Sequence, residues 1–148
     1  MPKQFAEQSA DQRFLSHLRA ILPDLRMESE VDLICAVELG LPTRAVDDLL
    51  KAGLSEKEVY SLVIPRRTLS HRRAHDRPLS HAESDRTVRV ARVAALADQA
   101  FGERARALRW LRKPKHRFGG RTPLGLCATE AGARLVEEML RQIDHGIF

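Results

Sequence analysis

The sequence predicts an all-α protein, and three observations carry that prediction. Apolar residues recur at helical spacing from Phe14 to Ile143. Capping residues, prolines and glycines fall between these runs, where helices start and stop. No stretch keeps the period-two alternation of a half-buried strand. A chain of 148 residues is one domain, or two small ones sharing a core. That length buries enough apolar surface to fold without staples.

The elements follow in order. Phe14, Leu15, Leu18, Ile21 and Leu22 form the stripe of a first helix, expected from near Ser9 to before Pro23. Ser29, with Asp32 three residues on, caps a second helix that carries Leu33, Ile34 and Val37 and stops at Gly40. Thr43 opens a third, with Val46, Leu49 and Leu50 inward and Gly53 as its stop. Ser55 caps a short helix to about Leu62, and Glu56 and Glu58 suit the positive end of its dipole. Pro65 begins the next element, Arg66 to about His75, which Pro78 keeps from running on.

Ser80 and Glu83 form a capping box for a long helix lined by Val90, Val93, Ala94, Ala97 and Phe101. Arg86, Arg89 and Arg92 lie off that face, and Asp85 can pair with Arg89 at i,i+4. Gly102 ends it, and a helix with Ala107, Leu108, Trp110 and Leu111 follows. Residues 113–126 read as a long structured loop. Thr129 opens a last helix with Leu135, Val136, Met139, Leu140 and Ile143 inward, ended by Gly146.

The net charge of +5 hides a segregation. Residues 1–60 carry 7 Lys/Arg against 11 Asp/Glu, residues 61–121 carry 16 against 5, and residues 122–148 carry 2 against 4. A middle so basic points to a polyanionic partner, nucleic acid first. Cys35 and Cys127 stand far apart in apolar contexts and read as small buried hydrophobes, suited to a reducing cytoplasm. No run approaches the roughly 18 apolar residues of a membrane span, and the start lacks the apolar core of a secretory signal. A cytoplasmic location is expected, with no membrane partner.

No enzyme is expected, because no serine or cysteine comes with a recognisable base beside it. His71 and His75 stand at i,i+4 but lack a third ligand and sit among arginines, so neither metal nor cofactor is expected. Gly119-Gly120 lacks the Gly-Lys-Ser/Thr of a phosphate loop. Asp76, Glu83 and Asp85 read as arginine partners rather than acid/base pairs.

Ser55 to Arg73 carries the nucleic-acid argument: a short capped helix, a tight turn through Val63 and Ile64, and a basic helix from Pro65. In a helix-turn-helix the second helix enters the major groove and offers its N-terminal residues to base edges. Arg66 and Arg67 lie in that first turn, able to reach guanine edges or phosphates. Leu69 is the apolar anchor against Val59 and Leu62. Thr68, Ser70, His71, Arg72 and Arg73 supply further reach, the last of them toward phosphates. The wording Ile64-Pro65-Arg66-Arg67-Thr68-Leu69-Ser70-His71-Arg72 resembles the turn and recognition helix of Xre/Cro-type repressors, with a turn about one residue short and without its usual glycine.

The second half resembles the toxin-binding domain of the Xre/MbcA/ParS antitoxin family. The landmarks are Glu83-Ser84-Asp85-Arg86 with Arg89, Trp110-Leu111 with Pro114, and Phe118-Gly119-Gly120-Arg121-Thr122-Pro123-Leu124. Thr129, Gly132 and Val136, then Ile143-Asp144-His145-Gly146-Ile147, complete the series. The resemblance, which covers roughly residues 40–148 and constrains 1–39 weakly, implies a Cro/Xre-like helix-turn-helix domain followed by a small helical toxin-binding domain, and the expected division is residues 1–79 and 80–148. It further implies an antitoxin that neutralises a RES-domain, NAD-degrading toxin and represses its own operon as a homodimer bound to operator DNA. Toxin contact is carried to the tail, Asp144, His145, Gly146, Ile147 and Phe148, and to the loop of Phe118, Gly119, Gly120 and Arg121. An apolar tail ending in a carboxylate suits a pocket for an anionic nucleotide; the alternative is a tail folded back on its own core. A second reading is a stand-alone regulator whose second half only dimerises. An RNA-binding protein is a third, disfavoured by a single Tyr and a single Trp for stacking.

Overall fold

The structure is a computed structural model that describes residues 2–146, with side chains from residue 10 onward. Among these residues the regular structure is helical: α1 Pro2–Ile21, α2 Glu30–Leu39, α3 Arg44–Lys51, α4 Glu56–Leu62, α5 Arg66–Ala74, α6 His81–Phe101, α7 Arg104–Arg112, α8 Pro123–Leu126 and α9 Glu130–Asp144. One isolated antiparallel bridge, Lys115 to Arg121, is the sole strand-like pairing among them.

Local chemistry sets the helix starts. Ser29 with Asp32, Ser55 with Glu58 and Ser80 with Glu83 each form a reciprocal capping box, satisfying otherwise orphaned N–H groups. Thr129 accepts from the Gly132 amide at the start of α9. Thr43 differs: its backbone is already helical and its side chain caps nothing.

Helix α6 is the axis of the fold. Its 21 residues span about 30 Å, and α1, α2, α7 and α9 all pack on it. Ala91, Ala94, Ala95 and Ala97 are all buried; such small side chains let the neighbouring backbones approach closely, while Val88, Val90, Val93 and Leu96 fill the gaps. Leu18, Ile21 and Leu22 of the α1 end, and Val136 and Leu140 of α9, complete that core.

Several expectations change. Helix α1 starts at Pro2 rather than near Ser9. The stretch 113–126 is not all loop: it holds a 3-10 turn, His116–Phe118, and the short α8, opened by Thr122 as cap and Pro123 in the first turn. Leu135 is 49% exposed, not buried, and Ile34 is 57% exposed. On α2 the inward pair is Leu33 and Val37, one turn apart, and Ile34 lies about 100° round the helix from Leu33 and about 60° from Val37. Leu135 lies about 100° from Val136 and further round the helix from Ala133 and Leu140 on α9. Cys35 is exposed, on the open face it shares with Val31 and Ile34, whereas Cys127 is buried. No helix among the described residues is long and apolar enough to cross a membrane.

Candidate functional site

Helices α4 and α5, joined by Val63, Ile64 and Pro65, form the helix-turn-helix unit. Three residues suffice for the turn because Val63 and Ile64 are buried and both amides donate to the Val59 carbonyl. Pro65 has the extended backbone of a cap residue but no side chain to cap with. Arg86, reaching from α6, donates its Nε to the Val63 carbonyl at 2.8 Å and so fixes the turn. Leu69 anchors α5 in the core.

At about 100° per residue, Arg66, Arg67, Ser70 and His71 share one arc of α5, and all four are exposed. Thr68 is half-buried at its border. Arg72 and Arg73 lie round the other side, next to Leu69; Arg72 turns inward, against the expectation that it reaches for phosphates, while Arg73 stays exposed. Arg72 donates to Glu83, the cap carboxylate of α6, at 3.1 Å, with its side chain 26% exposed and that of Glu83 8%. Arg73 pairs with Asp47 of α3 at 2.6 Å. Both tie α5 to its neighbours. Burial pushes the Glu83 carboxyl up, but the Ser80 amide and the Arg72 guanidinium outweigh it and hold the group below its ordinary range.

The first turn of α5 therefore carries Arg66 and Arg67 at the positive end of a helix dipole, with no acidic residue and no side-chain cap there. Cations in that place are destabilising by about 0.3–1 kcal/mol each. Neither has an ion-pair partner among the described residues. A bound anion would relieve both conditions. His71 and His75 stack with ring centroids 4.2 Å apart, and no group of three possible metal ligands occurs among the described residues.

The basic middle of the chain is partly spent inside the fold. Arg72, Arg73, Arg89, Arg92, Arg104 and Arg112 all pair with carboxylates. The expected Asp85–Arg89 pair forms at 3.3 Å, and Arg89 also meets Glu130. Arg104 bonds Asp98, whose carboxyl burial nonetheless pushes up. Arg112 grips Glu58 through two nitrogens, at 3.0 and 2.8 Å. None of these long-range partners could be assigned by spacing alone.

In the second half, the loop of Gly119 and Gly120 is a tip closed by the Lys115 and Arg121 backbones. Its two glycines take φ of +65° and +81°, a left-handed pair that side chains disfavour. Gly119, Gly120 and Arg121 are exposed, but Phe118 is not available for contact: its ring is part of the core. An aromatic beside glycines can serve as the loop's anchor as well as its contact, and here it anchors. Asp144 is likewise turned inward, 15% exposed, accepting from Arg13 at 3.3 Å and from Gln99 at 3.0 Å. His145 and Gly146 are exposed. Ile147 and Phe148 lie outside the described residues.

Fold and site together define a helix-turn-helix protein with a second, helical domain built on the shared helix α6. Residues 32–92 match the family model described as the antitoxin Xre-like helix-turn-helix domain, and residues 96–146 match the antitoxin Xre/MbcA/ParS C-terminal toxin-binding domain. The chain is 37% identical over 133 residues to "Antitoxin Xre" of Pseudomonas putida, covering 90% of this chain and 84% of that one. It is 32% identical over 119 residues to "Antitoxin Xre" of Yersinia enterocolitica, 78% and 80% of the two chains. A third "Antitoxin Xre", from Photorhabdus laumondii, is 30% identical over 111 residues, 73% and 75%. The chain belongs to the Xre antitoxin family.

Proposed function

We propose that the chain is the antitoxin of a type II toxin–antitoxin pair, a dimer that represses its own operon and neutralises a RES-type, NAD-degrading toxin. The division of labour runs at residues 79/80, with DNA on the amino-terminal side and the toxin on the other. The observation that carries the DNA half is the exposed pair Arg66 and Arg67 on the uncapped first turn of α5. A dimer would set two such helices against half-sites about 34 Å apart, one turn of the duplex.

For the toxin half, the contacts proposed are the exposed tip Gly119, Gly120 and Arg121 and the tail from His145 to Phe148, which would obstruct the toxin's active site. Phe118 and Asp144 support these contacts from inside the fold. Co-expression with the toxin encoded beside it tests this reading. The full chain should restore growth, and deletion of residues 145–148 should abolish rescue while the protein remains folded. Truncation starts after Asp144 because that residue holds Arg13 and Gln99. Rescue by the truncated chain would remove the tail from the mechanism.

A further inference from the structure

Residues 104–129 contain 8 Lys/Arg and no Asp/Glu. Arg104 and Arg112 find acidic partners elsewhere in the chain. Arg106, Arg109, Lys113, Lys115, Arg117 and Arg121 have none among the described residues. Uncompensated charge on this scale attracts polyanions to the surface that carries it.

Its position selects the partner. Helix α7 lies against the α3–α4 turn so closely that a Cβ at Gly53 would stand 2.6 Å from a Leu108 methyl. Arg112 bonds both the Gly53 carbonyl, at 2.7 Å, and Glu58 in the first turn of α4. The C-terminal end of α7, with Arg109 and Lys113 exposed, thus sits at the N-terminal end of α4. In a helix-turn-helix complex that first helix crosses the sugar-phosphate backbone while the second enters the groove. Arg112 also cancels the Glu58 charge, which would otherwise repel a phosphate arriving there.

We infer that Arg109 of α7 and Lys113 just past its end form a second DNA contact, gripping duplex phosphates beside the half-site without reading sequence. This rests on the reading of α4 and α5 as the DNA-binding unit. It gives the toxin-binding half a direct share in operator affinity. Phosphate contacts of this kind release counterions, each adding about 0.9 to the slope of log affinity against log salt.

The test is titration of the full chain, by fluorescence anisotropy across a salt series, on a duplex of its own upstream region and on a scrambled one. The double variant R109Q/K113Q should lower affinity for both duplexes by the same factor and reduce the salt slope by about two units. Its capture of the co-expressed toxin should be unchanged. A slope equal to that of the wild type overturns the inference, as does a loss of toxin capture with DNA binding intact, which would assign the patch to the toxin. Arg66→Ala run alongside separates the failures. If it removes preference for the upstream duplex while R109Q/K113Q is silent, the second contact alone is wrong. If neither variant changes DNA binding, the helix-turn-helix reading falls with it.

Discussion

Arg72 Nε donates to Glu83 Oε1 across 3.1 Å, so the side chain that closes the capping box of α6 also holds the recognition helix in place. Glu83 accepts from the Ser80 amide at 2.8 Å with the same oxygen. Rigid presentation of α5 thus depends on an arginine that looks, in sequence, like one more DNA contact. Arg72→Ala leaves a buried carboxylate short of a partner, and we expect a loss of about 1–3 kcal/mol in denaturant unfolding. Its salt slope on DNA should match the wild type, which binding titrations would check.

The acid limb of stability should follow from the same carboxylates. Burial raises Glu58 and Glu83, but the Arg112 and Arg72 partners and the capping amides prevail, and both groups sit below the ordinary range. Their stabilisation is complete above the unfolded glutamate value, about 4.3, and is lost as pH falls through the lower folded values. Asp98 has the opposite sign: burial raises it, so the folded chain takes up that proton first and gains stability as pH falls through its raised value. Unfolding free energy measured from pH 3 to pH 7 should therefore decline steeply only below the glutamate range. Asp98→Asn should reduce the rise that precedes the decline, leaving the part due to Asp48, which burial also raises.

Glycine in the interior of a helix is ordinarily improved by alanine, by up to about 1 kcal/mol. Gly132 in α9 should behave oppositely. A Cβ there would collide with the Leu126 carbonyl oxygen and stand 2.8 Å from its carbon, both backbone atoms unable to yield. Gly132→Ala should cost at least the 1–3 kcal/mol typical of overpacking. A thermal melt at or above the wild-type midpoint would contradict the packing of α8 on α9.

The two thiols should separate cleanly. Cys35 is exposed, whereas burial pushes the Cys127 thiol up to about 12, leaving almost no thiolate at neutral pH. Brief alkylation of the native protein, read by mass spectrometry, should modify Cys35 alone. Denaturant should add the second label.

The helices, their caps and the helix-turn-helix were legible because they rest on local chemistry: a serine with an acid three residues on, a proline after a short run, a stripe of period 3.6. Cys35 was misread because α2 is apolar nearly all round, so its pattern does not choose a face. The inward pairing of Arg72 with Glu83 was missed although periodicity held the clue, since Arg72 lies on the Leu69 side of α5. Phe118 and Asp144 could not be placed in advance. Their surroundings come from Arg13, Gln99 and a core assembled across more than forty residues of chain.

The central claim is that Arg66 and Arg67 meet DNA from the open face of α5. Its most direct test is the affinity of Arg66→Ala and Arg67→Ala for the upstream duplex and for versions with single base pairs changed. A residue reading a base should lose about 1–3 kcal/mol on the native sequence and stop discriminating at one position. Wild-type affinity and discrimination in both variants would contradict the account.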